Sequence, residues 1–274
     1  IKILHCDTAQ IVCQNAAEMG RMLAFQRRKG LTVPPNRLET PHLGVEHADY
    51  LTTCGNEFTV NTYTYADKPI FRLPMVVQQM WPWPENKDFD QSRRRFLWFG
   101  SRGMVHKGLD LVLEAFARMP ECQLTIVGPV RNEPEFVNVY RKELFHTPNI
   151  TYVGWLDKSS EEFRIVLEQS LAHVFPSCSE AGAAAVVETM AAGVIPVVTY
   201  EASIDVENFG FLLEDASIET IMRQVREIAA MSVDELRRRA KKAWEAAHNN
   251  NTPEKFERSY RATIEMILAK HGRR

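Results

Sequence analysis

Two carboxylates, Glu180 and Glu188, stand eight positions apart in the run Ser179-Glu180-Ala181-Gly182-Ala183-Ala184-Ala185-Val186-Val187-Glu188, with only small or apolar residues between them. Before them, Leu171-Ala172-His173-Val174-Phe175 has the composition of a short buried strand and Pro176-Ser177-Cys178-Ser179 that of a turn. The Ala-rich run that ends at Gly193 reads as a helix with its usual C-terminal glycine. On such a helix, about 1.5 Å per residue puts the carboxylates roughly 12 Å apart along the axis, and steps of about 100° leave them on one broad face. They are then too distant to share a proton or a metal ion, and suit the two ends of one elongated ligand. Small residues from Ala181 to Ala185 let that ligand approach the backbone, where free N–H groups and the helix dipole attract phosphate. An Ala-rich core helix with two incidental glutamates is the alternative that the same spacing allows.

A second segment with chemistry lies upstream. Arg95-Phe96-Leu97-Trp98-Phe99 has strand composition, Gly100-Ser101-Arg102-Gly103-Met104-Val105-His106-Lys107-Gly108 is a loop, and Leu109 to Met119 recurs with helical period. Arg102 and Lys107, with His106 beside them, thus cluster at a helix N-terminus, where the macrodipole disfavours positive charge unless an anion lies between them. A solvated loop lysine is the plainer alternative. Both segments follow strands, so in a parallel sheet both lie on the carboxyl-end rim where open α/β sheets bind ligands.

The elements that must position these residues alternate along the chain. Strand and helix signals follow one another at Phe96–Phe99, Leu109–Met119, Gln123–Val127, Glu135–Phe145, Ile150–Val153, Ser160–Ser170, Ala172–Phe175, Gly182–Ala192 and Ile195–Thr199, which implies a parallel sheet with right-handed crossovers. Trp81-Pro82-Trp83-Pro84 cannot continue a helix or a central strand and reads as a linker. Ahead of it come a strand-like Lys2 to Cys6, a helical Ala16 to Lys29, a Pro/Asn-rich stretch from Val33 to Pro41, an alternating Ala48 to Cys54, a helix-compatible Asn56 to Tyr65 and a last strand from Ile70 to Leu73. The tail is helical, with Phe256, Tyr260, Ile264, Ile267 and Leu268 on one stripe. Arg21, Arg27, Arg28 and Lys29 beside Met19, Met22, Leu23 and Phe25 make either a solvated helix end or a basic amphipathic face that touches anionic lipid or an acceptor.

Composition narrows the class. With 274 residues, 45% hydrophobic and 25% charged, and a net charge of −2, the chain has the balance of a globular protein of one or two domains and not of a nucleic-acid binder. Five cysteines without a Cys-x-x-Cys indicate neither a disulfide framework nor a zinc site. The opening residues are not a secretory signal, and no apolar run reaches the roughly 18 residues of a membrane span, so a cytoplasmic setting is expected.

The order Phe99-Gly100 … Lys107-Gly108-Leu109, Leu124-Thr125-Ile126-Val127-Gly128-Pro129, Ile150-Thr151-Tyr152-Val153-Gly154-Trp155-Leu156, Phe175-Pro176-Ser177, Glu180-x7-Glu188 and Met190-Ala191-Ala192-Gly193-Val194-Ile195-Pro196-Val197-Val198 resembles the family-4 retaining glycosyltransferases, over about residues 90 to 215. The resemblance implies an α/β, GT-B-like fold of two Rossmann-like domains across a cleft: a partial N-terminal, acceptor-side domain at 1–80, a nucleotide-sugar-binding domain at 81–252, and a C-terminal helix at 253–274 crossing back to the first. It further implies metal-independent sugar transfer from a nucleotide diphosphate sugar to a saccharide, lipid or other acceptor, with no cofactor and with retention through same-face attack. Lys107 would hold the diphosphate, Glu180 the sugar hydroxyls and Glu188 the ribose, while His5 would line the cleft near the transferred sugar. Arg102 joins Lys107, Glu180 and His5 as the expected catalytic set, and Gly100, Ser101, Ser179, Ala181, Gly182, Ala183 and Ala184 join Glu188 in the donor site.

Two departures from that pattern stand out. The family places Arg directly after the glycine ending the first strand of this domain, whereas here Ser101 intervenes before Arg102. After the first Glu it commonly has glycine at the second and fourth places, whereas this chain has Ala181-Gly182-Ala183. The Gly-rich loop that opens the family's N-terminal domain is not found, nor is an initiator Met, so a fragment or a processed or split polypeptide is expected. The remaining alternatives are a nucleotide-sugar-binding or scaffolding module lacking its catalytic half, and a GT-B nucleotide-sugar epimerase.

Overall fold

A computed structural model describes residues 1–206 and 208–271; residues 272–274 of the expected terminal segment lie outside the described residues. The strands are β1 (Ile3–Cys6), β2 (Tyr50–Thr53), β3 (Ile70–Arg72), β4 (Arg95–Phe99), β5 (Gln123–Val127), β6 (Ile150–Gly154), β7 (Ala172–Phe175), β8 (Ile195–Val198) and β9 (Phe211–Leu212). The helices are α1 (Ile11–Lys29), α2 (Gly44–His47), α3 (Glu57–Thr62), α4 (Phe89–Ser92), α5 (Leu109–Phe116), α6 (Pro134–Val139), α7 (Arg141–His146), α8 (Glu161–Gln169), α9 (Ala184–Met190), α10 (Ile218–Ala230), α11 (Val233–Asn250) and α12 (Pro253–His271).

Among the described residues, two all-parallel sheets form. The first has three strands in the order β1-β2-β3, and the second has six in the order β6-β5-β4-β7-β8-β9. Counted from β4, that is the 3-2-1-4-5-6 order of a doubly wound Rossmann sheet, whose strand order reverses between β4 and β7. Every residue of β7 and β8 is buried, as expected for strands covered on both faces, and their apolar runs supply the side chains for it. Helix caps follow the sequence: Ser160, Ser217 and Ser232 accept the N–H groups of Phe163, Thr220 and Glu235 at the starts of α8, α10 and α11.

Several boundaries differ from the sequence expectation, each for a local reason. Helix α1 begins at Ile11 rather than Ala16, because the Gln10 side chain caps it by accepting from Val12 and Cys13. The expected helix from Glu135 to Phe145 is two, broken at a buried Tyr140 with φ −104° and ψ 24°. β2 buries all four residues instead of alternating, since it lies between β1 and β3. The tail stripe is narrower than its periodicity suggested: Ile267 and Thr263 are buried, whereas Tyr260 and Leu268 are exposed. At its end, the His271 ring meets Tyr50 of β2 edge-on at 5.8 Å.

The cluster at the end of α1 is divided: Arg27, Met19 and Leu23 are exposed, whereas the other three cations are engaged by the protein. Arg21 donates to the Pro176 carbonyl, Arg28 pairs with Asp110 and Glu114, and Lys29 lies over the Tyr140 ring. Met22 and Phe25 join the core of the larger sheet, with Phe25 against Tyr140; each such fully buried side chain stabilises by about 1.5–3 kcal/mol. The Pro-rich linker is also packed: Trp83 stacks on Phe89, and the Trp81 carbonyl accepts from the Trp244 indole.

Candidate active site

Lys107 and Glu180, 73 positions apart in sequence, meet at the switch point. The loop after β4 carries the lysine and the loop after β7 the glutamate, and Lys107 Nζ lies 2.5 Å from Glu180 Oε1. The lysine stem runs past Gly100, where a Cβ would sit 2.9 Å from the Trp98 ring and 3.3 Å from Lys107 Cδ, so only glycine leaves it room. The Trp98 indole holds the Lys107 carbonyl, and the ammonium lies 5.2 Å from the Phe175 ring centre. Ser177 donates a second hydrogen bond to Glu180 Oε1 at 2.9 Å. Burial works to raise the Glu180 carboxyl, but the Lys107 and His106 charges outweigh it and hold the group below its usual range.

Glu180 is not on a helix. Gly182 takes φ +85°, and α9 starts only at Ala184, so the 12 Å axial spacing expected for the two carboxylates does not apply. The backbone expected to be open here is closed over. Ala183 N–H donates to the Ala202 carbonyl, Ser179, Ala181 and Ala183 are buried, and a Cβ on Gly182 would lie 2.6 Å from the Cys54 carbonyl oxygen. Ala184, at the first turn of α9, is half-buried. In the other loop, the N–H groups of Gly103 and Met104 are taken by the Glu133 carboxylate. Ser101 and Arg102 are exposed.

Glu188 faces a different space. With Trp81, Trp155, Phe163, Gln78 and Lys158 it lines a cavity of about 270 Å³, and it forms an ion pair with Lys158. Burial raises its carboxyl above the usual range, and Lys158 only partly opposes this. His5 is held elsewhere again, with Nδ1 3.0 Å from Thr52 Oγ1, in a small cavity beside His42 and Tyr63 that neither Lys107 nor Glu180 lines.

The N-terminal elements cover the rim. Thr59 donates to the Glu180 carbonyl, Glu18 of α1 pairs with His106 at 2.6 Å, and the Arg37 side chain packs against Gly103 and adds to the positive field on Glu180. His106 was a candidate cation for phosphate; it is instead fully buried between Glu18 and the Ser179 carbonyl. Burial opposes its charge, yet Cys178 and Glu18 raise it to about 9. Sequence reasoning missed Arg37, Lys158 and Glu18, which lie outside any motif. Trp155 had a signal, since it directly follows Gly154 in the quoted pattern.

No curated protein matches the chain by sequence. Among solved structures, the chain is similar to HepE of Anabaena in complex with UDP and glucose (TM-score 0.68, 10% identity, covering 96% of this chain and 71% of that one). It is also similar to a sucrose-phosphate synthase from Thermosynechococcus elongatus (TM-score 0.66, 18% identity, 83% and 60%). A third is a mutant of S. aureus TarM in complex with fondaparinux, alpha-GlcNAc-glycerol and UDP (TM-score 0.62, 15% identity, 79% and 44%). The chain thus spans less than two thirds of the length of TarM and of the synthase. These likenesses show the fold, an α/β arrangement of parallel sheets of the GT-B kind. The family model described as glycosyl transferases group 1 matches residues 83–246, more than half of the 274, and includes Lys107, Glu180 and Glu188; the chain belongs to the group 1 glycosyl transferases.

Proposed function

We propose that the chain is the donor-binding part of a retaining glycosyltransferase that moves a sugar from a nucleoside diphosphate to a saccharide, lipid or other acceptor without a divalent ion on the diphosphate. The observation that carries this reading is the Lys107–Glu180 pair at the switch point of a Rossmann sheet. Breaking a sugar–phosphate bond leaves negative charge on the diphosphate, and a preorganised, nearly buried ammonium stabilises that charge as it develops. In this account Lys107 does so, aided by Arg37 and the exposed Arg102, while Glu180 turns to the sugar hydroxyls. Glu188 takes the ribose, in the cavity where Trp81 and Trp155 offer flat apolar surface for a base. The acceptor attacks on the face from which the diphosphate leaves.

UDP is present in the HepE and TarM structures and is the natural first probe. Calorimetric titration with UDP and UDP-sugars, followed by NMR assignment of the anomeric configuration of any product, tests the reading. An α-donor giving an α-product supports retention, and an inverted product excludes it. The scaffolding alternative is favoured by one observation, the cover that α1 and the 33–37 segment place over the rim. Binding of UDP-sugar without turnover would select it.

A further inference from the structure

Under that cover lies a cluster that the sugar-transfer account does not use. Glu18 from α1, His106 from the loop after β4 and Cys178 from the loop after β7 bring one carboxylate oxygen, one ring nitrogen and one sulfur within 4.8 Å of one another. We infer that Glu18 Oε2, His106 Nδ1 and Cys178 Sγ form a zinc-type metal site that clasps α1 to the two loops carrying Lys107 and Glu180.

The supporting groups select these atoms. His106 Nε2 lies 2.6 Å from the Ser179 carbonyl, which can only accept, so Nε2 carries the proton and Nδ1 is the ring nitrogen left for a ligand. A backbone carbonyl that fixes the ring and tautomer in this way is the usual outer partner of a metal-bound histidine. Glu18 Oε1 accepts from the Asn36 and Arg37 N–H groups, which leaves Oε2 directed at His106. Sγ to Nδ1 is 3.4 Å, close to the roughly 3.6 Å expected for a thiolate and an imidazole on one tetrahedral zinc. Nδ1 to Oε2 is 2.6 Å, against roughly 3.3 Å on such an ion, so the carboxylate must retreat by several tenths of an ångström. A nitrogen, a sulfur and an oxygen donor suit zinc or cobalt over magnesium or calcium, and the fourth position falls to water. Binding displaces the thiol proton and the proton that His106 and Glu18 share, so the charged cluster gains a cation as two protons leave. Glu18 and Cys178 are 160 positions apart, and no sequence spacing could have joined them.

Cobalt(II) is the probe. Titrated into the chain, it should give one equivalent of tight binding with a near-ultraviolet thiolate-to-cobalt band and visible bands of tetrahedral intensity, all displaced by zinc. Cys178→Ser should remove the charge-transfer band, and Glu18→Gln should weaken zinc binding by at least the roughly 10–100-fold that even outer-shell partners are worth. Cys13→Ser, an exposed cysteine outside the cluster, should change neither. Circular dichroism establishes that each variant is folded. Absence of the band in the unsubstituted chain, or its survival in folded Cys178→Ser, would overturn the assignment.

Discussion

Lys107 Nζ and Glu180 Oε1 stand 2.5 Å apart, so each of the two groups assigned to the donor is now the other's partner. A diphosphate arriving at Lys107 must compete with a carboxylate that Ser177 also holds in place. Removing that competitor therefore has opposite effects on two ligands. In Glu180→Gln, a sugar-free nucleoside diphosphate should bind as tightly as in the unsubstituted chain or more tightly, while turnover of the nucleotide sugar falls. Calorimetry with UDP beside a turnover assay checks this, and parallel losses in both would remove Glu180 from the sugar.

Lys107→Ala should lower kcat far more than it weakens donor binding. The ammonium is worth most when the leaving diphosphate gains charge, and loss of one such preorganised group typically costs about 10²–10³-fold in kcat. Steady-state kinetics with and without added Mg²⁺ or Mn²⁺ supply the measurement. Turnover should not require either ion.

Glu188→Ala should weaken nucleotide binding about ten- to a hundred-fold, the equivalent of about 1.5–3 kcal/mol for a hydrogen bond to a charged group. A nucleoside diphosphate lacking ribose hydroxyls should bind the variant and the unsubstituted chain alike. A loss that persists for that ligand would assign Glu188 to another part of the donor.

His173 makes stability fall in acid. Fully buried in β7, it accepts the Phe99 N–H at Nε2, and Nδ1 faces Thr189 Oγ1. Burial lowers it to about 3, and the nearby Lys107 charge assists. Below the ordinary histidine range near 6.5 the unfolded chain therefore takes up a proton that the fold refuses, and stability drops by about 1.4 kcal/mol per pH unit until roughly pH 3. Denaturant unfolding of the unsubstituted chain and His173→Gln between pH 7 and 4 should show a steeper decline in the former. Identical slopes would mean that His173 is charged in the fold.

The Rossmann half was legible because its strands are short apolar runs with turn residues between them: β5 and β7 fall at their expected bounds, and β4 and β8 within a residue of them. Lys107, Glu180 and Glu188 were legible as types at a spacing. Their environment was not, because it is made by contacts across long separations. The left-handed turn at Gly182 takes Glu180 off its helix, and the small residues beside it pack against Cys54 and Ala202 where phosphate was expected. Likewise the sequence placed Met22 and Phe25 on a solvated helix end or a lipid-facing stripe, and only the fold reveals that they join the core, with Phe25 against Tyr140, and that Glu18 ends at His106.

The most direct measurement is a crystal structure of the chain with UDP bound. The account predicts the distal phosphate within hydrogen-bond distance of Lys107 Nζ, the Lys107–Glu180 contact broken, and the ribose hydroxyls on Glu188 in the Trp81–Trp155 cavity. A diphosphate seated elsewhere, for example in the cavity at Lys87 and Arg164 on the other end of the sheet, with the Lys107–Glu180 pair intact, would contradict it.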